Sequence, residues 1–166
     1  MKTKTITPDQ FIKGNYMTET LTLKERIEDW TAEHCLALEQ NYIDYHKRMV
    51  TSNFERYDGV RSDLSDYAKE QLDSIENGTF KGKKYTFSEG KKYLKVIMND
   101  YDNFTGEYRS GGVHCFIDKN TGEVYKAASW KSPAKGVRYD FRIIRERELL
   151  HNPSYVTWTG GYLYAR

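Results

Sequence analysis

Apolar and semi-apolar residues recur every three or four positions from Leu23 through Ile27, Trp30, His34, Ala37/Leu38, Asn41/Tyr42 and Tyr45 to Met49. That period belongs to one face of a helix and predicts a long helix over 22–52. Thr22 and Glu25 have capping-box spacing and mark its start. The stripe includes His34 and Asn41, so the seam suits the chain's own sheet, the next helix or a second copy. Self-association through 22–52 is expected. Asp58-Gly59 breaks the pattern. Ser62 or Asp63 then caps a second helix carrying Leu64, Tyr67, Ala68, Leu72 and Ile75, which Asn77-Gly78 ends.

Beyond residue 80 the period changes to two. Val113-His114-Cys115-Phe116-Ile117 is dense in β-branched and aromatic residues, and Glu123–Ala128 follows after Asp118-Lys119-Asn120-Thr121-Gly122. This predicts two antiparallel strands and a tight turn in which Gly122 takes positive φ. Lys91–Met98 reads as another strand, with Lys92, Leu94, Val96 and Met98 on one side and Tyr93, Lys95 and Ile97 on the other. Neither side is cleanly apolar, which leaves its register open. Tyr85-Thr86-Phe87 suggests a short edge strand, and 99–112 reads as a long polar loop. A short helix is expected over 143–150, stopped by Asn152-Pro153. Tyr155–Trp158 and Gly161–Tyr164 read as a last strand or hairpin.

Together these elements predict an α+β fold: a long N-terminal helix and a second helix packed beside a mainly antiparallel sheet of three to five strands. Residues 1–20 read as a loosely ordered arm, and 21–166 as one domain. That domain has an acidic helical part, 21–78, and a basic sheet part, 79–166.

Charge sharpens this division. The net charge of +2 conceals 7 Lys+Arg against 14 Asp+Glu over 17–78, and 15 against 8 over 81–147. The two halves either dock on each other or the basic one meets a polyanion. The chain has 14 tyrosines, whose amphipathic rings serve both cores and contact surfaces. No apolar run approaches the length of a membrane span, and no apolar segment follows Met1-Lys2-Thr3-Lys4 to make a secretory signal. Cys35 and Cys115 fit neither a zinc site nor a disulfide framework, so reduced, partly buried thiols are expected. No metal site or cofactor is indicated. His34 and His46 lie at no ligand spacing and are expected to be solvated or satisfied.

The run Val113–Asp118, Thr121–Lys126, Ala128–Lys131 and Pro133–Lys135 resembles a group of small bacteriophage proteins carrying "VHxFxDxxTGxVYKxASWKxPAK". A basic-aromatic strand similar to Gly90–Val96 precedes it in that group, and a phrase similar to Gly160–Arg166 closes it. The resemblance covers roughly 83–138 and the C-terminus. It implies a phage product in the host bacterial cytoplasm and carries over no activity or catalytic residue.

Candidate chemistry is concentrated after the hairpin. Lys126, Lys131, Lys135, Arg138 and Arg142 surround Trp130, Tyr125 and Tyr139. Interleaved cations and rings suit phosphates and unstacked bases, and Trp130 plugged into the core with the cations facing water is the competing reading. His114 and Cys115 are adjacent on a strand, so alternation sends them to opposite faces, and no catalytic pair is expected. Asp100 and Asp102 lack a third ligand. The expected function is a non-catalytic phage accessory protein that binds a phosphate-bearing ligand, nucleic acid ahead of a signalling nucleotide, through Lys126, Trp130, Lys131, Lys135, Arg138 and Arg142. The alternatives are a binder of a host protein that inhibits or redirects it, and an enzyme with an unrecognised site.

Overall fold

The computed structural model describes residues 5–6, 21–56 and 64–164. Helix α1 is Leu23–Arg56, about 50 Å long at the usual rise per residue. The capping box forms: Glu25 N–H donates to Thr22 Oγ1 at 3.2 Å, and Thr22 N–H to Glu25 Oε2 at 3.1 Å. Helix α2 is Asp66–Asn77, capped by Ser65 and closed by Gly78 at φ 73°. The caps expected at Ser62 or Asp63 and most of the 1–20 arm lie outside the described residues.

The sheet is an antiparallel meander in sequence order: β1 Thr5–Ile6, β2 Lys84–Glu89, β3 Tyr93–Asp102, β4 Glu107–Asp118, β5 Glu123–Lys126 and β6 Tyr139–Asp140. Five strands come from the basic half, and two-residue β1 adds a sixth along β2. The fold is thus α+β, with a long helix, a second helix and an antiparallel sheet. The β4–β5 turn forms as its residues require. Asp118 Oδ1 accepts from the N–H groups of Asn120 and Thr121 at 2.9 and 3.2 Å, and Gly122 sits at φ 81°.

One face of the sheet packs on α1. Tyr85, Phe87, Leu94, Val96, Ile117 and Val124 meet Ile27, Cys35 and Leu38 in a single buried cluster. The α1 stripe is therefore covered from Ile27 to Asn41 by the chain's own residues, while Met49 at its far end is exposed.

Two bulges break the β3–β4 register. Val96 pairs with Cys115 but Ile97 with Val113, so His114 is the extra residue. Alternation puts His114 and Cys115 on opposite faces; the bulge overturns that expectation. It turns the His114 ring toward His34 of α1, centroids 6.2 Å apart, on the side where Cys115 is buried. The second bulge leaves Gly111 unpaired. A Cβ there would stand 2.3 Å from Asp100 Oδ2, so a side chain at this position would force the Asp100 carboxylate to move.

The expected polar loop over 99–112 is also corrected. Its two arms are the outer halves of β3 and β4, paired through Tyr101 and Tyr108, whose rings meet at 5.4 Å. Only 103–106 turns, with Gly106 at φ 72° and Phe104 wholly exposed at the tip. Backbone pairing holds this ribbon, which has no core of its own.

The last strand expected over 155–164 does not form either. After helix α3, Ile144–Leu150, the chain makes turns and one 3-10 turn, Gly161–Leu163. Side chains of α1 and the sheet take the backbone bonds a ladder would have taken. Asn41 Nδ2 donates to Pro153 O and Trp158 N–H donates to Asn41 Oδ1, at 2.9 and 2.8 Å. Arg138 Nε donates to Leu163 O at 2.7 Å, and Tyr139 Oη to Tyr162 O at 2.9 Å. The polar members of the α1 stripe are thus docking points for the C-terminal segment.

Candidate functional site

The sheet face turned away from α1 carries its own cross-strand row. Ser88, Lys95, Phe116 and Tyr125 are successive register partners across β2, β3, β4 and β5. Side chains so placed are neighbours on one face. Tyr93, two residues before Lys95, sets its ring edge-on to Phe116 and to Tyr125, each at 5.8 Å. Phe116 is only 2% exposed yet stands outside the main core cluster. It is the floor of a second aromatic patch.

Cations surround this floor. Lys95 Nζ lies 5.8 Å from the Phe116 ring centroid, and Lys92 Nζ 5.4 Å from that of Tyr93. Lys91 and Lys92 belong to the β2–β3 turn, which Gly90 N–H closes on Tyr93 O at 2.9 Å. Lys131 arrives from the loop after β5. Lys91, Lys92, Lys95 and Lys131, with Tyr93 and Phe116, line a recess of about 310 Å³. Among the described residues none of the four lysines is paired with a carboxylate. Lys83 and Lys84, elsewhere on the surface, are paired, as are Lys24 and Lys119, which share Glu89 beside the β2–β3 turn. Burial pushes the Tyr125 hydroxyl up, with Glu123 adding to it, while Lys92 opposes the rise.

The loop is built to hold its tip. Ala127 bridges Pro133, and Ser129 Oγ accepts from the N–H groups of Lys131 and Ser132, each at 3.2 Å. Trp130 at the tip is 49% exposed, and among the described residues its ring meets no other ring or cation.

The sequence-derived residues separate accordingly. Lys131 lines the recess, while Trp130, its neighbour in sequence, is exposed outside the lining set. Lys126 pairs with Cys115 on the opposite face, its Nζ 4.5 Å over the Tyr164 ring. Arg138 holds the loop and the C-terminal segment, donating to Lys135 O, Gly136 O and Leu163 O. Arg142 is bound to Asp140, Nη2 to Oδ2 at 2.7 Å. Lys135 is exposed and is not among the residues lining the recess. Sequence reasoning missed Lys91, Lys92, Tyr93, Lys95 and Phe116 as members. Their signal was the run Lys91-Lys92-Tyr93-Leu94-Lys95, which becomes a site only once register sets Lys95 opposite Phe116.

A second polar cluster is buried between α1 and the sheet. His34 Nδ1 donates to Leu150 O at 2.7 Å, which leaves its Nε2 as an acceptor. Tyr162 Oη donates to that Nε2 at 2.8 Å and accepts from His114 Nε2 at 2.7 Å. With both imidazoles neutral, one proton arrangement satisfies the whole chain of bonds. Burial enforces this, pushing His34 down to about 4 and His114 to about 3. Burial also pushes the Cys35 and Cys115 thiols up, keeping them protonated and poorly nucleophilic. His151 lies apart from this pair, its Nδ1 2.9 Å from Glu33 Oε2.

No group of three or more His, Cys, Asp or Glu among the described residues is placed to hold a metal ion. No helix among them is long and apolar enough to cross a membrane.

The model of one protein family, described as a family of unknown function (DUF7717), matches residues 9–165. No curated protein and no solved structure matches the chain.

Proposed function

We propose that this chain, which belongs to DUF7717, is a non-catalytic phage accessory protein of the host cytoplasm that binds a phosphate-bearing ligand, nucleic acid first, through its basic sheet face. One observation carries the reading. Four lysines without carboxylate partners among the described residues stand around an aromatic floor on the face the helices leave uncovered. Unpaired cations in one place repel each other, and a polyanion relieves that repulsion while releasing its own counterions.

Anisotropy of labelled oligonucleotides, single- and double-stranded, tests the reading at two salt concentrations. About four neutralised phosphates give a log–log salt slope of roughly −3. Absence of binding at low salt removes the reading.

A second reading rests on a different surface. Met49 and Tyr67 are both exposed on the groove between α1 and α2, within the acidic half. Exposed Met and Tyr suit a protein partner, either a host protein or a second copy of the chain. A stoichiometric partner that survives nuclease treatment and is lost in Met49→Asp favours it.

A further inference from the structure

Given that the basic face binds nucleic acid, we infer that its ligand is single-stranded, with a base received against Tyr93 and a neighbouring base stacked on Trp130. This rests on the proposal above and narrows it.

Size is the first argument. A recess of about 310 Å³ is at the lower end of small-ligand pockets and admits one flat ring with its sugar and phosphate. A duplex keeps its bases stacked inside and presents only its backbone to such a recess.

Ring placement is the second. Phe116 is the floor, too buried to stack a base, and its edge contact with Tyr93 fixes the Tyr93 ring at the lining. Trp130 holds an open indole one residue from Lys131, on a loop tip fixed by Ser129. Rings on a sheet face with cations beside them are how sheet-based modules take unpaired bases: charge follows the backbone and π-faces receive the bases.

A duplex fits these surfaces less well. Major-groove reading needs a helix or a two-stranded ribbon that can enter the groove. The ribbon of β3 and β4 carries Asp100, Asp102 and Glu107 toward its tip, and α1 belongs to the half with twice as many acidic as basic residues. Even with Asp100 paired to Lys83 and Asp102 to Arg109, both would set an acidic surface, not free cations, against phosphates. The cations lie instead around a concavity, where a flexible strand can bend to them.

Three probes separate the possibilities at low salt: labelled oligothymidylate, a duplex of equal length, and inorganic polyphosphate, which has charge and no rings. The inference expects oligothymidylate to bind at least ten-fold tighter than duplex. Trp130→Ala is expected to weaken oligothymidylate roughly 5- to 150-fold, the range of a lost base–aromatic stack. It should leave polyphosphate binding unchanged, and Trp130→Phe should restore most of the loss. Circular dichroism melting of each variant confirms that it is folded. Duplex or polyphosphate bound as tightly as oligothymidylate, with Trp130→Ala silent, overturns the inference and leaves the basic-face reading standing. Failure of all three probes to bind overturns both.

Discussion

The hydroxyl of Tyr162 donates to Nε2 of His34 across 2.8 Å, joining residues 128 apart in the chain. The same oxygen accepts from His114, so one phenol ties α1, the bulge of β4 and the C-terminal segment together. Tyr162→Phe keeps the ring and removes the tie. An acceptor on His34 is then orphaned in a dry site, which costs about 1–3 kcal/mol. Chemical denaturation should show a lower midpoint with an unchanged slope.

Acid should loosen the same cluster. In the unfolded chain a histidine takes its proton near pH 6.5; folded, His34 does so only at about 4 and His114 at about 3. The unfolded state therefore binds more protons throughout that window, and stability falls as pH drops below about 6.5. The slope reaches ~1.4 kcal/mol per pH unit for one histidine and about twice that for both. Urea unfolding at pH 7, 6, 5 and 4.5 measures it, and a flat profile from 7 to 5 contradicts the neutral pair.

Much of this architecture is legible in the sequence. Thr22 with Glu25, Gly78, and the turn from Asp118 to Gly122 act through local bonds that depend on residue type alone. His114, Gly111 and the C-terminal segment are different. Alternation cannot reveal a bulge, because the inserted residue has no signature until its partner strand is known. The segment looks strand-like because Tyr155, Val156 and Tyr162 favour strands, yet Asn41, Arg138 and Tyr139 take its backbone groups from far away. Similarly, the cations of 126–142 look like one surface in sequence, whereas register sends Lys126 to the opposite face and ties Arg142 to Asp140.

The β3–β4 ribbon offers a test of that register. A Cβ at Gly111 would meet Asp100 Oδ2 at 2.3 Å and Met98 Cε at 3.2 Å, and Lys83 holds the Asp100 carboxylate in place. Gly111→Ala should cost about 1–3 kcal/mol, as overpacking does. Gly112→Ala, with nothing within 4 Å of its Cβ, should cost less. Equal melting temperatures for the two variants would place the bulge elsewhere.

Trp130 separates stability from binding. Half exposed and without a ring partner among the described residues, it should leave stability within about 0.5 kcal/mol when truncated to Ala, as surface changes do. A buried anchor would cost on the order of 3–5 kcal/mol. A thermal melt of Trp130→Ala distinguishes the two.

The salt dependence of oligothymidylate binding tests the basic face most directly, compared between the parent and the variant Lys91→Ala/Lys92→Ala/Lys95→Ala/Lys131→Ala. The parent is expected to bind with a log–log slope of roughly −3, and the variant, folded as judged by its melt, to lose most of both affinity and slope. A parent that does not bind at low salt, or a variant that binds with the parent's affinity and slope, would contradict the account.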